Sequence, residues 1–273
     1  MSVRELPGRP AEAVGTSRNA PVIVMTYAGS GAEQLRSVLS AFPELACTQQ
    51  TGILPLFQHA VTTWQTVDGV VGEGVSPLAA ASLRALSAGL MTAIFARQRG
   101  SRWCEFASAP PAAAQTFARL CPQARFLIAH RRADTVVRAI IGSSRWGLEG
   151  AEFAPFVSAY PANLVAALVG YWAAHTAQQL ELEQAHPEKC HRVRIEDLTA
   201  NAVQARLGIS HFLGLDGRGA ASPLTRDDGQ TRAAVDGVPA TGLPLDRIPA
   251  SLLARANELH HRLGYPPVTA AGA

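Results

Sequence analysis

Apolar residues in this chain come in short continuous runs separated by longer stretches with helical spacing, and this alternation sets the first expectation. Pro21-Val22-Ile23-Val24-Met25-Thr26 is such a run, with Gly29 and Gly31 directly behind it, the pattern of a buried parallel strand entering a tight turn. Leu35, Val38, Leu39 and Phe42 then keep the i, i+3, i+4 spacing of one buried helix face, until Pro43 stops it. Further strands are predicted at 45–48, 103–106, 125–130 and 191–195, each separated from the next by enough chain for a helical crossover. The longest helix is expected over 163–183, where Leu164, Leu168, Tyr171, Trp172 and His175 share a face, and another over 251–263. Repeated strand–helix–strand units predict an α/β protein with a parallel sheet. Residues 1–20 have no apolar period and read as a mobile leader, leaving 21–269 as a single domain. Within it, 214–248 carries six Gly and three Pro and reads as a long loop, a lid able to close over a ligand.

Composition narrows the function classes. A chain of 273 residues with 48% hydrophobic content can bury a substantial core. Its net charge of +3 rests on arginine, because Lys189 is the only lysine. Arginine's planar fork suits bidentate contact with phosphate or sulfate, whereas so mild a basic excess, without arginine runs, gives little support to a nucleic-acid partner. Cys47, Cys104, Cys121 and Cys190 are scattered without a CxxC pair, and no N-terminal apolar stretch resembles a signal peptide. A reducing cytoplasm is therefore expected, with no membrane partner and no disulfide framework. His186, Cys190 and His191 lie close in sequence, but a strand splays them to different faces, so no metal is expected there.

Three segments carry candidate chemistry. Tyr27-Ala28-Gly29-Ser30-Gly31-Ala32 joins the first strand to a helix start, where consecutive N–H groups and the positive helix end form an anion site and Ser30 adds a hydroxyl. A tight strand-to-helix turn needs glycine for conformation alone, so this segment by itself is equally a plain turn. In the second, the strand 125–130 delivers Arg131 and Arg132 to a helix start at the carboxyl edge of the sheet, where open α/β folds bind ligands, although two arginines at a strand end are also an ordinary solvated pair. In the third, Arg192-Val193-Arg194-Ile195-Glu196-Asp197-Leu198, Arg194 and Glu196 share a strand face, and a purely structural pair is the stronger reading.

The order of these segments, with FPELAC, RWCEF, PQARFLIAHRRADTVVRA, the YW-bearing long helix, VRIEDL with FLGL, and LGYP, resembles the bacterial PAPS-dependent sulfotransferase family from about Pro21 to Tyr265. The resemblance implies a three-layer α/β/α fold with a central parallel sheet related to nucleotide kinases. It implies transfer of a sulfuryl group from 3′-phosphoadenosine-5′-phosphosulfate (PAPS) to a hydroxyl of a small bacterial metabolite, without a metal. Activation for later displacement or ring closure is one expected use. The loop Tyr27, Ala28, Gly29, Ser30, Gly31, Ala32 would hold the 5′-phosphosulfate, and Arg131 the 3′-phosphate. Glu105 is the candidate base, with His59 and His130 as alternatives.

The sequence departs from the family pattern. Gly29 stands where a basic residue is usual, Ala32 and Glu33 replace a threonine cap, Phe106 replaces a lysine, and Ala139 replaces the serine that completes the 3′-phosphate site. Ser143 or Ser144 lies a turn beyond Ala139, and Arg226 or Arg232 of the long loop offers compensating charge. The competing reading is a binding or scaffold subunit that has lost PAPS and works with an intact sulfotransferase-like partner or as a homodimer. A P-loop kinase is disfavoured, because GSGAEQL lacks the Gly-Lys-Ser/Thr ending that holds nucleotide phosphates and magnesium.

Overall fold

The computed structural model describes residues 20–49, 51–67, 77–95, 102–143, 151–216 and 243–268. The predicted leader, except Ala20, and most of the 214–248 loop, with Arg226 and Arg232, lie outside the described residues, as does Ser144.

Five strands form one parallel sheet: β1 (Val22–Met25), β2 (Leu45–Gln49), β3 (Arg102–Ala107), β4 (Arg125–His130) and β5 (Cys190–Arg194), in the order β2-β3-β1-β4-β5. The strand residues alternate between two covering layers, as the two-residue side-chain period requires. Val22, Val24, Leu127 and Ala129 pack under α1 (Ala32–Leu39), α8 (Asp197–Ala200) and α9 (Ala202–Leu213), meeting Leu35, Leu39, Leu198 and Ile209. Ile23, Met25, Phe126 and Ile128 face the opposite layer, meeting Phe57 of α2 (Ile53–Val67), Leu83 of α3 (Pro77–Phe95), Phe117 of α4 (Pro111–Leu120) and Leu182 of α7 (Leu164–Ala185). A further cluster joins α7 to α5 (Ala133–Ser143), α6 (Ala154–Ala159) and α10 (Ala250–Leu263) around Tyr171 and Trp172. The expected three-layer α/β/α architecture is therefore present. Among the described residues no helix is long and apolar enough to cross a membrane.

Strand order places the functional edge. The chain leaves β1 for β2 at the sheet edge, returns to β3 beside β1, and then crosses β1 to start β4 on its other side. The connections thus diverge around β1, and a crevice opens beyond its carboxyl end.

Two local expectations are corrected. Leu164 is 46% exposed rather than on the buried face, because it opens α7 just beyond the Asn163 cap, ahead of the turns that pack inward. Arg194 and Glu196 do not pair on a strand: β5 ends at Arg194, whose guanidinium turns to Asp197 at 2.8 Å. Glu196 instead accepts from the Arg132 amide at 3.0 Å and from the Tyr265 hydroxyl at 2.7 Å.

Candidate functional site

Beyond the ends of β1, β3 and β4 lies a cleft of about 410 Å³. Thr26, Tyr27, Ala28, Gly29, Gly31 and Ala32 form one wall, continued by Glu33 and Gln34, and Ser108, Arg131, Ala139, Ser143 and Glu152 complete it. The two segments singled out by sequence, the glycine turn and the residue after β4, therefore meet in one cavity.

The turn is closed from within. The Ser30 amide donates to the Tyr27 carbonyl at 3.0 Å, and the Tyr27 amide donates to Ser30 Oγ at 3.1 Å. Ser30 is fully buried and is not among the cleft-lining residues, so its hydroxyl braces the loop where a ligand contact was expected. Gly31 has φ 89°, and a Cβ there would come within 2.7 Å of Ile195 Cγ2, so glycine is required on both counts. Gly31 also caps α1 without any side-chain acceptor, which leaves the first-turn amides of Ala32, Glu33 and Gln34 without intrahelical partners at the cleft wall. Unpaired amides with the positive helix end behind them attract an anion.

Arg131 supplies the basic side chain of the lining. It is buried, and its Nη1 donates to the Gly29 carbonyl at 3.0 Å, tying the post-β4 turn to the loop. Burial lowers its pKa, an effect opposed by the carboxylate of Glu196. Arg132 is engaged elsewhere, with Nε donating to Asp134 Oδ1 at 3.0 Å. Helix α7 holds both halves of the site through adjacent side chains. Tyr171 Oη accepts from the Ala28 amide at 3.0 Å, and Trp172 Nε1 donates to the Arg131 carbonyl at 2.9 Å.

None of the three candidate bases lines this cleft. Glu105 is buried, and its carboxylate accepts from Thr48 Oγ1 at 2.6 Å, from the Thr51 amide at 2.6 Å and from Thr51 Oγ1 at 2.9 Å, which commits it to holding the segment after β2. His130 is fully buried with Nε2 2.8 Å from Glu183 Oε1, on the inner side of α7. His59 stands exposed on α2. Glu105 and His130 share a physical reason: residues within a strand point into the covering layers, whereas residues just past the strand ends face the crevice. Sequence reasoning missed Thr26, Gln34, Ser108 and Glu152. Ser108 was findable as a polar residue directly beyond a predicted strand, whereas Glu152 reaches the cleft only through the path of the segment before α6.

A profile of the sulfotransferase family matches residues 21–218, most of the chain and both walls of the cleft. The chain belongs to the sulfotransferase family. Its fold is similar to the sulfotransferase domain of the Synechococcus olefin synthase, at 16% identity and TM-score 0.55, over 91% of this chain and 95% of that one. It is also similar to the sulfotransferase domain of the curacin biosynthetic pathway, at 14% identity and TM-score 0.59, over 91% and 98%. A sulfotransferase from Alicyclobacillus acidocaldarius shares 17% identity at TM-score 0.50, over 89% and 96%. A comparison with curated protein sequences gave no match.

The departures from the sulfotransferase pattern acquire structural reasons. Gly29 has φ 78°, and a Cβ there would approach the Val136 carbonyl oxygen to 3.0 Å, so any side chain at that position, a basic one included, is strained. Phe106 points into the layer under α1, where the Arg36 guanidinium lies 4.2 Å from its ring centre. Arg36 also reaches Glu33 at 3.5 Å, so the carboxylate at the start of α1 has a cation beside it. Ala139 and Ser143 line the same cleft one helical turn apart, and the Ser143 hydroxyl donates to the Ile140 carbonyl at 3.1 Å.

Proposed function

We propose that this sulfotransferase-family chain moves a sulfuryl group from PAPS to a hydroxyl of a small-molecule acceptor. The observation that carries the reading is the meeting, in one cleft, of the uncapped start of α1 with the buried guanidinium of Arg131. In this reading the amides of the Tyr27–Ala32 turn and of the first turn of α1 receive the 5′-phosphosulfate. Arg131 receives the 3′-phosphate, with Ser143 standing in for the hydroxyl that Ala139 lacks. Transfer needs positioned donors where charge gathers on the moving group and its leaving oxygen, and fixed amides at a helix start meet that need without reorganising. The acceptor is proposed to be a biosynthetic intermediate, because a sulfate ester is a good leaving group for later displacement or ring closure. That two structural neighbours belong to an olefin synthase and to the curacin pathway is in keeping with this.

Calorimetric titration with the desulfated nucleotide, 3′-phosphoadenosine-5′-phosphate, tests the donor site. Saturable heat is expected, and Arg131→Ala is expected to weaken binding by more than tenfold, because a charge-assisted bond contributes about 1.5–3 kcal/mol. No heat at millimolar nucleotide sinks the reading. It would favour the donor-free subunit instead, a reading to which the carboxylates of Glu33 and Glu152 on the cleft wall lend support.

A further inference from the structure

The four cysteines divide between the two layers that cover the sheet. Cys121 and Cys190 pack in the layer of α2, α4 and α7, whereas Cys104 is fully buried in the layer of α1, α8 and α9, with Cys47 half-buried against it. Cys47 of β2 and Cys104 of β3 are partners in register on neighbouring parallel strands, so both side chains rise from the same face of the sheet. Adjacent strands run about 4.8 Å apart, inside the roughly 4.4–6.8 Å between Cα atoms that a disulfide spans. Bonds on the opposite face fix that register, because Thr48 Oγ1 donates to Glu105 Oε2 at 2.6 Å and accepts from Trp103 Nε1 at 2.8 Å. The two thiols are not equivalent. A hydrogen bond from Cys104 lowers the Cys47 pKa, an effect that burial opposes and the Arg36 guanidinium of α1 reinforces. The same bond and burial push the Cys104 thiol well above its ordinary value, against the pull of Arg102 and Arg36. Cys190, the other half-buried thiol, is pushed up to about 12 by burial.

From this geometry we propose that Cys47 and Cys104 form a reversible dithiol–disulfide couple, a modification site for peroxide in which Cys47 attacks and Cys104 resolves. Such a site needs one accessible thiol and a second within bonding reach of it, and half-buried Cys47 beside in-register Cys104 meets both needs. In the first step the Cys47 sulfur bonds to one oxygen of hydrogen peroxide, the O–O bond breaks, and the other oxygen leaves with the thiol proton as water. Cys47 is then a sulfenic acid. In the second the Cys104 sulfur bonds to the Cys47 sulfur, the S–O bond breaks, and hydroxide leaves with the Cys104 proton as a second water. Two thiols are thus oxidised to one disulfide, and one peroxide is reduced to two waters. A small dithiol reverses the bond by exchange. Because β2 is an edge strand of the sheet, the disulfide fastens that edge to β3. The nearby resolving thiol also spares Cys47 from further, irreversible oxidation.

The test exposes the full wild-type chain to a small molar excess of hydrogen peroxide, blocks the remaining thiols with iodoacetamide after denaturation, and maps the peptides by mass spectrometry. The expected product is one disulfide joining Cys47 to Cys104, with Cys121 and Cys190 alkylated, and dithiothreitol should restore all four free thiols. Cys104→Ala is expected to stop at a Cys47 sulfenic acid that dimedone traps, and Cys47→Ala should lose the fast oxidation. Should either variant fail to fold, the wild-type map still decides. A second measurement needs neither variant nor oxidant: on the native chain at mildly alkaline pH, iodoacetamide should alkylate Cys47 at least about tenfold faster than Cys190. Four thiols that survive peroxide, a link involving Cys121 or Cys190, a link between two chains, or Cys47 carried to a sulfinic acid without a link overturns the proposal. Equal alkylation rates at Cys47 and Cys190 also overturn it. None of these readouts depends on nucleotide, so a donor site that fails its titration leaves this result standing.

Discussion

Trp172 Nε1 donates to the Arg131 carbonyl oxygen at 2.9 Å, while the neighbouring Tyr171 hydroxyl accepts from the Ala28 amide. One dipeptide of α7 thus ties together the two cleft-lining segments, which lie about a hundred residues apart in sequence. Tyr171→Phe removes only the hydroxyl. The expected cost is about 1 kcal/mol of stability, with a several-fold loss of nucleotide affinity and faster hydrogen exchange at the Ala28 amide. Unchanged exchange there would show that the loop holds itself.

Gly29 and Glu33 oppose an anion for different reasons, and their variants should behave oppositely. Glu33→Thr removes a negative charge from the start of α1 and is expected to tighten nucleotide binding. Gly29→Arg adds a positive charge but places a Cβ against the Val136 carbonyl at positive φ, so it should lower the melting temperature and weaken binding. Thermal denaturation with calorimetric titration of both variants checks the pair. Tight binding by Gly29→Arg would show that the loop backbone can relax.

Glu105→Gln tests whether that carboxylate works as a brace. Because it accepts from Thr48 and Thr51, the variant is expected to lose about 1.5–3 kcal/mol of stability by chemical denaturation. Its acid limb in the pH–rate profile should stay where the wild type has it. Loss of turnover without loss of stability would return Glu105 to the role of base.

Acid should destabilise the fold in two stages. Burial depresses the pKa of His130 even though Glu183 favours its charged form, so between the unfolded value near 6.5 and the lower folded value the unfolded chain binds more protons. Stability contributed by a neutral His130 is therefore present above about pH 6.5 and is lost as the pH falls. Burial raises the Glu183 pKa, but the bonds from His130 and Arg192 outweigh it and hold the carboxyl below its ordinary value. That contribution is present above about pH 4.3 and is lost lower still. Melting temperature followed from neutral to acid pH should fall in both windows, and His130→Gln should flatten the upper one.

The sheet and its long crossover helix were legible because continuous apolar runs and 3.6-residue periodicity report burial directly, and β4 was predicted with its observed limits at 125 and 130. The glycine turn and Arg131 were legible for a related reason, since residues just past a strand end face the crevice in any open α/β sheet. Glu105 misled because RWCEF reads as a strand with a carboxylate at its tip. In the fold the strand continues to Ala107, so Glu105 points into a covering layer. His175 was placed on a helix face without any indication that Tyr27, from a distant segment, would lie flat against it. Ring stacking across the fold leaves no trace in local spacing.

The Tyr265 hydroxyl donates to the carboxylate of Glu196 and lies 3.2 Å from the His130 carbonyl oxygen, and His260 Nε2 accepts from the Ala133 amide at 3.1 Å. The turn carrying Arg131 is therefore fastened from behind by the last described segment of the chain. On the ribosome this fixes an order of events: the glycine loop, β4 and the arginine are all synthesised long before the residues that lock their turn. A nascent chain released through α9 alone carries the glycine loop and Arg131 without the clasp, so the arginine turn is completed only once the segment bearing His260 and Tyr265 has been made.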